Sequence, residues 1–179
     1  MKQRIEVEHR ARFNCRTYAR LRSYLRRHAR SLGQDDKEVF FYVSPKVLYK
    51  VVRNISERTA KLVLKKNRIE QASSFDETEI SISPSDIEKA NEFVQSIPRT
   101  KLYHDIVRRE NFLWHGVEIA LKYSRTWGYH AEFEILISSA RSKTMANRKI
   151  QLVADSLGVR LMTTNDVGKF LQVANRSKR

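Results

Sequence analysis

The feature that most narrows what this chain can fold into is an alternation of period two, in which ionisable side chains recur at i and i+2 with apolar positions between them. Residues 4–13 place Glu6, Glu8 and Arg10 on one face of an extended segment and Ile5 and Val7 on the other. Lys61 and Lys65 share a face with Val63, opposite Leu62 and Leu64. Glu77 and Glu79 repeat the pattern, as do Glu132 and Glu134 against Ala131, Phe133 and Ile135. Successive side chains of a strand point to opposite faces, so each segment reads as an amphipathic strand with one charged face. An open two-layer α+β sheet with that face in water is the commoner way to satisfy such a pattern. Its weakness is the pairing of like charges: carboxylates about 7 Å apart along a strand repel unless cations stand close. If the sheet closes, the Glu pairs converge on one interior, where metal ions and basic side chains are needed to make them tolerable. Mg²⁺ or Mn²⁺ prefers carboxylate oxygens and bridges phosphate oxygens, while Arg and Lys complement the remaining phosphate charge. Such an interior suits a metal-bound polyphosphate.

The rest of the chain supplies elements to build that sheet. Residues 39–43 and 47–53 are β-branched and aromatic runs broken at Ser44-Pro45, as two strands with a turn would be. Residues 59–66 and 75–82 predict a hairpin joined through 67–74, and further strands are expected at 103–110, 112–114, 117–124 and 130–137. Tyr18, Leu21, Leu25 and Leu32 recur at helical spacing, with Gly33 as the stop. Ser83 is expected to cap a second helix with Pro84 in its first position and a stripe of Ile87, Ala90, Val94 and Ile97. Ala146, Ile150, Val153 and Leu157 predict a third, ended by Gly158, and Val167, Phe170, Leu171 and Ala174 a short terminal one. A frayed basic tail is expected at 175–179.

With 179 residues, no repeat and no Gly, Ser or Pro tract, the chain is expected to form one domain over residues 1–179. Lys and Arg number 35 against 20 Asp and Glu, and the formal charge of +15 points to polyanionic partners. The single Cys15 excludes an internal disulfide and any multi-cysteine zinc site; it is expected as a small buried thiol. No apolar run approaches the roughly 18 residues of a spanning helix, and residues 1–15 lack the apolar core of a signal peptide. A cytoplasmic protein with no membrane partner is the expectation. His9, His104, His115 and His130 lack metal-ligand spacing, Trp114 and Trp127 read as core or rim aromatics, and no Gly-rich phosphate loop is present.

Glu6-Val7-Glu8-His9-Arg10 resembles the ExExK signature that opens CYTH, or triphosphate-tunnel, proteins, with Arg in place of the usual Lys. This is the family of class IV adenylyl cyclases and thiamine triphosphatases. Residues 60–66 are similar to its lysine-bearing strand, 75–80 to its RxExE strand and 127–134 to its closing LGxFxExE, so the resemblance covers nearly the whole chain. It implies an α+β fold, an eight-stranded antiparallel β-barrel forming a tunnel with helices packed outside. By the same resemblance, Glu6, Glu8, Glu132 and Glu134 hold Mg²⁺ or Mn²⁺, and Arg10, Arg53, Lys65 and Arg109 grip the phosphates. Glu6, Glu8, Arg10 and Lys65 form the catalytic set, with Glu77 and Glu79 completing the acidic lining. Strand register decides whether Lys50 replaces Arg53, and Arg108 replaces Arg109, as the inward cation. Lys122 stands where the family carries Asp six residues before the Gly of the closing motif. A cation there weakens one metal or adds a phosphate contact, and Glu118, of the same parity, partly compensates. Phe75 takes the place of the Arg of RxExE.

The activity so implied is metal-dependent hydrolysis of inorganic tripolyphosphate or of a nucleoside or other organic triphosphate. With the ribose 3′-hydroxyl of ATP as attacker, the same scaffold is an adenylyl cyclase making cyclic AMP and pyrophosphate. Tunnel-type RNA 5′-triphosphatase is a further reading. A non-catalytic polyphosphate- or RNA-binding module is another, supported by the charge and by Arg20, Arg22, Arg26, Arg27 and Arg30, assigned to the first helix. A homodimer is also within what the resemblance implies.

Overall fold

The computed structural model describes residues 5–44, 47–65, 74–75, 77–97 and 101–176. In chain order the first half contains β1 (Ile5–Arg12), α1 (Cys15–His28), β2 (Arg30–Gln34), β3 (Lys37–Val43), β4 (Leu48–Asn54) and β5 (Thr59–Lys65). β6 (Ser74–Phe75), β7 (Glu77–Ile82) and α2 (Ile87–Gln95) follow. The second half contains β8 (Lys101–Trp114), β9 (Val117–Ser124), β10 (Gly128–Ile137), α3 (Lys143–Ser156) and α4 (Thr164–Arg176).

All the paired strands are antiparallel, and the sheet runs β6-β1-β10-β9-β8-β3-β4-β5-β7, with β2 added to β8. β6 and β7 are the two ends of this order, yet Phe75 and Glu77 are only two residues apart in the chain. Consecutive Cα atoms are about 3.8 Å apart, so these residues lie within about 7.6 Å of each other and the two ends of the sheet meet. The sheet therefore curls into the expected antiparallel barrel, with β6 and β7 forming its eighth wall.

Alternation then decides what faces where. Odd positions of β1, β9 and β10 and even positions of β8 face outward, and α1 and α3 cover them. Val7, Phe112, Ile119, Leu121 and Phe133 pack there with Leu21, Leu25, Ile150 and Val153 in one buried cluster. α2 covers the other side, where Ile87, Ala90 and Val94 meet Tyr42, Val51 and Ala60. Each fully buried aliphatic or aromatic side chain of these layers contributes about 1.5–3 kcal/mol relative to exposure. A third, smaller cluster of Val39, Val52 and Val63, flanked by Phe41 and Val107, lies inside the barrel.

The helix ends follow local chemistry. The Asn14 side chain accepts the Thr17 N–H at 2.9 Å and starts α1, while Arg26, Arg27 and His28 end it where the helix dipole favours cations. Ser83 caps a 3-10 turn at Pro84–Asp86 that leads into α2, and Gly158 follows α3 at φ +63°. No helix among the described residues is long and apolar enough to cross a membrane.

Four expectations are corrected. α1 stops at His28, and Leu32 sits exposed in β2; Gly33 serves the register shift between Ser31 and Gly33 opposite β8 rather than a helix stop. Arg30 accordingly belongs to β2 and not to the first helix. The segments at 103–110 and 112–114 are one 14-residue strand, because β8 is long enough to pair with β3 along its first half and with β2 and β9 along its second. Cys15 is exposed, because it is the first residue of α1 and falls off the buried stripe. The connection expected at 67–74 lies outside the described residues except for Ser74, as do the last three residues of the tail.

Candidate functional site

The barrel encloses a cavity of about 310 Å³ whose wall is built from alternate residues of the strands around it. β1 contributes Glu6, Glu8 and Arg10, and β10 contributes His130, Glu132 and Glu134. Their register makes the convergence unavoidable, because Glu8 pairs with Glu134 and Arg10 with Glu132. Cross-strand partners share a face, so four carboxylates and a guanidinium are driven onto one patch.

Within that patch the carboxylates divide. Glu6, Glu8 and Glu134 each offer an oxygen within 4.8 Å of the others, close enough for one cation to be shared among them. Burial raises Glu6, and Glu8 and Glu134 add to it against the pull of Lys65, leaving its pKa at about 8. Burial and Glu132 likewise raise Glu134 to about 7, against the pull of Arg109. Glu8 is 4% exposed; its Oε1 lies against the Arg10 guanidinium yet has no aligned hydrogen-bond donor among the described residues. A crowded set of hard oxygen donors, part-buried at Glu6 and Glu134 and buried at Glu8, where one oxygen is under-satisfied, fits Mg²⁺ or Mn²⁺.

Glu132 stands apart from this cluster. Lys122 Nζ donates to its Oε2 in a close contact, Arg10 Nε lies 3.4 Å from its Oε1 and Arg109 Nη1 3.9 Å from its Oε2. Burial pushes the Glu132 carboxyl up, but Lys122, Arg10 and Arg109 overcome that and hold it well below the usual range. The departure noticed at Lys122 thus has a structural counterpart. Lys122 lines the cavity at 8% exposure and neutralises Glu132 from the adjacent strand.

The basic side chains of the cavity come largely from the facing wall. Lys37 on β3, Lys50 on β4, and Lys61 and Lys65 on β5 all line it. Lys65 Nζ lies 3.9 Å from Glu8 Oε2, and Lys61 is bonded to Glu79. Arg109 is fixed from several sides: Nε donates to Asn111 Oδ1 at 2.6 Å and lies 3.5 Å from Asp35 Oδ2, while Nη2 lies 3.5 Å from Glu118 and 3.8 Å from Glu134.

Among the described residues, seven cationic and six carboxylate side chains line the cavity, which is charge-dense with the two signs nearly balanced. Trp127 and His130 close one side, their rings 5.5 Å apart. Burial and Lys122 lower His130 to about 4, which keeps its imidazole neutral at ordinary pH.

Of the residues singled out in the sequence, Glu6, Glu8, Arg10, Lys65, Glu79, Arg109, Lys122, Glu132 and Glu134 are brought together in the cavity. Glu118 is on the same face, but stands outside the lining and reaches the site through Arg109. Arg53 is a correction: it is outside the barrel, its side chain 43% exposed and its Nη1 3.4 Å from Glu38. β4 presents Lys50 inward instead, the alternative register. Glu77 pairs with Lys65 in the backbone register, but its side chain lies outside the described residues. Lys37, Asp105, Trp127 and His130 were not found from the sequence. Lys37 and Asp105 share parity with inward residues of their strands, which is the signal that could have found them.

No protein-family model matches the sequence. No curated protein matches it significantly either. Solved structures do match. A conserved hypothetical protein from Pyrococcus furiosus aligns with a TM-score of 0.72 at 20% identity, covering 87% of this chain and 91% of its own. A candidate adenylyl cyclase from Hippeastrum, described as revealing a dominant triphosphatase activity, aligns at 0.64 and 12% identity, covering 88% and 89%. A chain of the Schizosaccharomyces pombe Mediator head module aligns at 0.61 and 10% identity, covering 88% and 97%. These likenesses establish a shared fold; what the fold is used for has to come from the site.

Proposed function

We propose that this chain, a triphosphate-tunnel domain of the CYTH kind by fold, is a metal-dependent triphosphatase acting on a compact triphosphate held inside the barrel. The observation that carries this reading is the convergence of Glu6, Glu8 and Glu134 within 4.8 Å, beside an under-satisfied Glu8 oxygen and opposite a wall of lysines. In support of the enzyme reading, the Hippeastrum neighbour is described by its triphosphatase activity.

Glu6, Glu8 and Glu134 would hold Mg²⁺ or Mn²⁺, which when bound supplies Lewis-acid polarisation of a phosphoryl oxygen. Arg10, Lys65 and Arg109 then complement the phosphate charge that the cation leaves uncovered. Arg109 is suited to this because its fork is already fixed by Asn111 and Asp35, so little freedom is lost when an anion arrives. Lys122 keeps Glu132 ionised, and Glu132 serves as the partner of three basic groups, Lys122, Arg10 and Arg109. Hydrolysis rather than cyclisation is favoured because the cavity, about 310 Å³, is at the small end of ligand sites, roughly 300–1,000 Å³. Phosphates fill such a space without a nucleoside having to be positioned within it.

The test is incubation with Mn²⁺ and, separately, tripolyphosphate, ATP and a 5′-triphosphate RNA, with phosphate, pyrophosphate and cyclic AMP measured. Phosphate release that needs the metal and is lost in Glu8→Gln supports the reading. Cyclic AMP from ATP would replace it with the cyclase reading, and a folded protein that turns over none of the three contradicts catalysis.

A further inference from the structure

Outside the barrel a second depression, about 1270 Å³, lies between the first half of α1 and the outer faces of β8, β9 and β10. It exceeds the usual upper size of a small-ligand site, roughly 1,000 Å³, and its chemistry differs from that of the tunnel. Three tyrosines form its floor: the Tyr129 ring lies 5.0 Å from Tyr18 and 4.7 Å from Tyr123. Tyr123 is 38% exposed at the end of that row. Arg16, Arg108 and Arg125 surround it, all exposed, and none of the three is in an ion pair among the described residues.

The acidic groups of the groove are already engaged. Glu110 is bonded to Arg22 at 2.6 Å and to Arg26 at 2.7 Å. Asp36 accepts the Arg109 backbone N–H at 2.9 Å and the Gln34 amide at 2.7 Å. Uncommitted guanidiniums around a row of aromatic rings form a surface for planar bases strung on phosphates. Base faces stack on tyrosine whatever their sequence, and arginine follows the backbone. A peptide partner would want pockets or strand-edge hydrogen bonds, and a membrane would want protruding aliphatic side chains, of which Ile106 is the one large example among the described residues of the groove.

The groove also adjoins the tunnel. Ser124 and Trp127 at the β9–β10 turn line the tunnel, whereas Tyr123 and Arg125 of the same turn line the groove. Arg109 borders both.

We infer that this groove binds single-stranded nucleic acid alongside the tunnel, through stacking on Tyr123 and Tyr129 and phosphate contacts to Arg16, Arg108 and Arg125. The inference is independent of which triphosphate the tunnel takes. The test uses fluorescence anisotropy with labelled 5′-hydroxyl oligonucleotides, which carry no triphosphate, as single-stranded RNA, single-stranded DNA and duplex DNA. Wild type is expected to bind the single strands more tightly than the duplex.

Tyr123→Ala is expected to weaken single-strand binding about fivefold or more, and Tyr123→Phe to restore it. Arg125→Glu, at an exposed turn position, should reduce the slope of log affinity against log salt by about 0.7. Glu6→Gln/Glu8→Gln should leave binding unchanged, which separates this site from the tunnel. Binding that survives all groove changes, that is competed away by tripolyphosphate, or that favours duplex would overturn the inference. So would no binding by a protein that melts normally.

Discussion

Glu134→Gln should make the metal-free protein more stable at alkaline pH while weakening its response to divalent metal. The Glu134 carboxyl has its pKa raised from 4.5 to about 7 by burial and by Glu132 and Glu8, net of the attraction of Arg109. A raised folded-state value means that the protonated form fits the fold. The contribution is complete below the ordinary pKa and is lost as pH rises through about 7. The rise from 4.5 to about 7 corresponds to about 3 kcal/mol of penalty for the ionised form, at about 1.4 kcal/mol for each tenfold change in acidity. Glutamine reproduces the neutral acid, so the variant recovers about 1–3 kcal/mol at about pH 8.5 and almost nothing at about pH 4, below the ordinary carboxyl pKa. For a chain of this size each kcal/mol moves Tm by about 2–4 °C, which predicts an apo Tm higher than wild type by roughly 3–10 °C at the alkaline pH alone.

The assay is a pair of thermal melts for each protein at each pH, after chelation and again with Mn²⁺. Wild type should gain more from Mn²⁺ at the higher pH, where its three carboxylates need a cation, and the variant should gain little at either. A variant less stable than wild type at the alkaline pH, or one keeping the full Mn²⁺ response, would refute the idea that Glu134 is a strained metal ligand.

The division among the carboxylates predicts one tightly bound Mn²⁺ per chain by electron paramagnetic resonance titration; two equivalent ions would return Glu132 to the metal site. Lys122→Met leaves Glu132 with only its longer contacts and should cost about 3–5 kcal/mol in denaturant unfolding, with much of it recovered in Lys122→Met/Glu132→Gln. The register of β4 predicts that Lys50→Ala lowers kcat/KM for tripolyphosphate about tenfold or more, whereas Arg53→Ala leaves it unchanged. The reverse result would mean that the strand faces the other way.

The carboxylate side of the site was legible because β1 and β10 alternate: outward positions are apolar against α1 and α3 except His9, which bonds to Asn147, and inward ones include Glu6, Glu8, Arg10, Glu132 and Glu134. The facing wall was not. β4 carries Val51 and Val52 side by side, the first packed under α2 and the second inside the barrel with Val39 and Val63. A strand apolar on both faces has no alternation to set its parity, so Lys50 and Arg53, which lie on opposite faces, could not be told apart. The same apolar inner layer makes residues 39–43 a continuous hydrophobic run, and Lys37 fell just outside the strand as read from it. Leu32 misled for a different reason. It lies seven residues after Leu25 and so fits helical spacing, but Ala29 already has extended backbone angles at the end of α1. The role of Lys122 needed the register that sets it beside β10, opposite His130 and one step from Glu132.

The most direct measurement is the anomalous scattering of Mn²⁺ in crystals grown with tripolyphosphate. A single manganese peak bounded by Glu6, Glu8 and Glu134 is expected, with the phosphates lying between it and Arg10, Lys65 and Arg109. Manganese on Glu132, or tripolyphosphate bound outside the barrel with the tunnel empty of both, would contradict it.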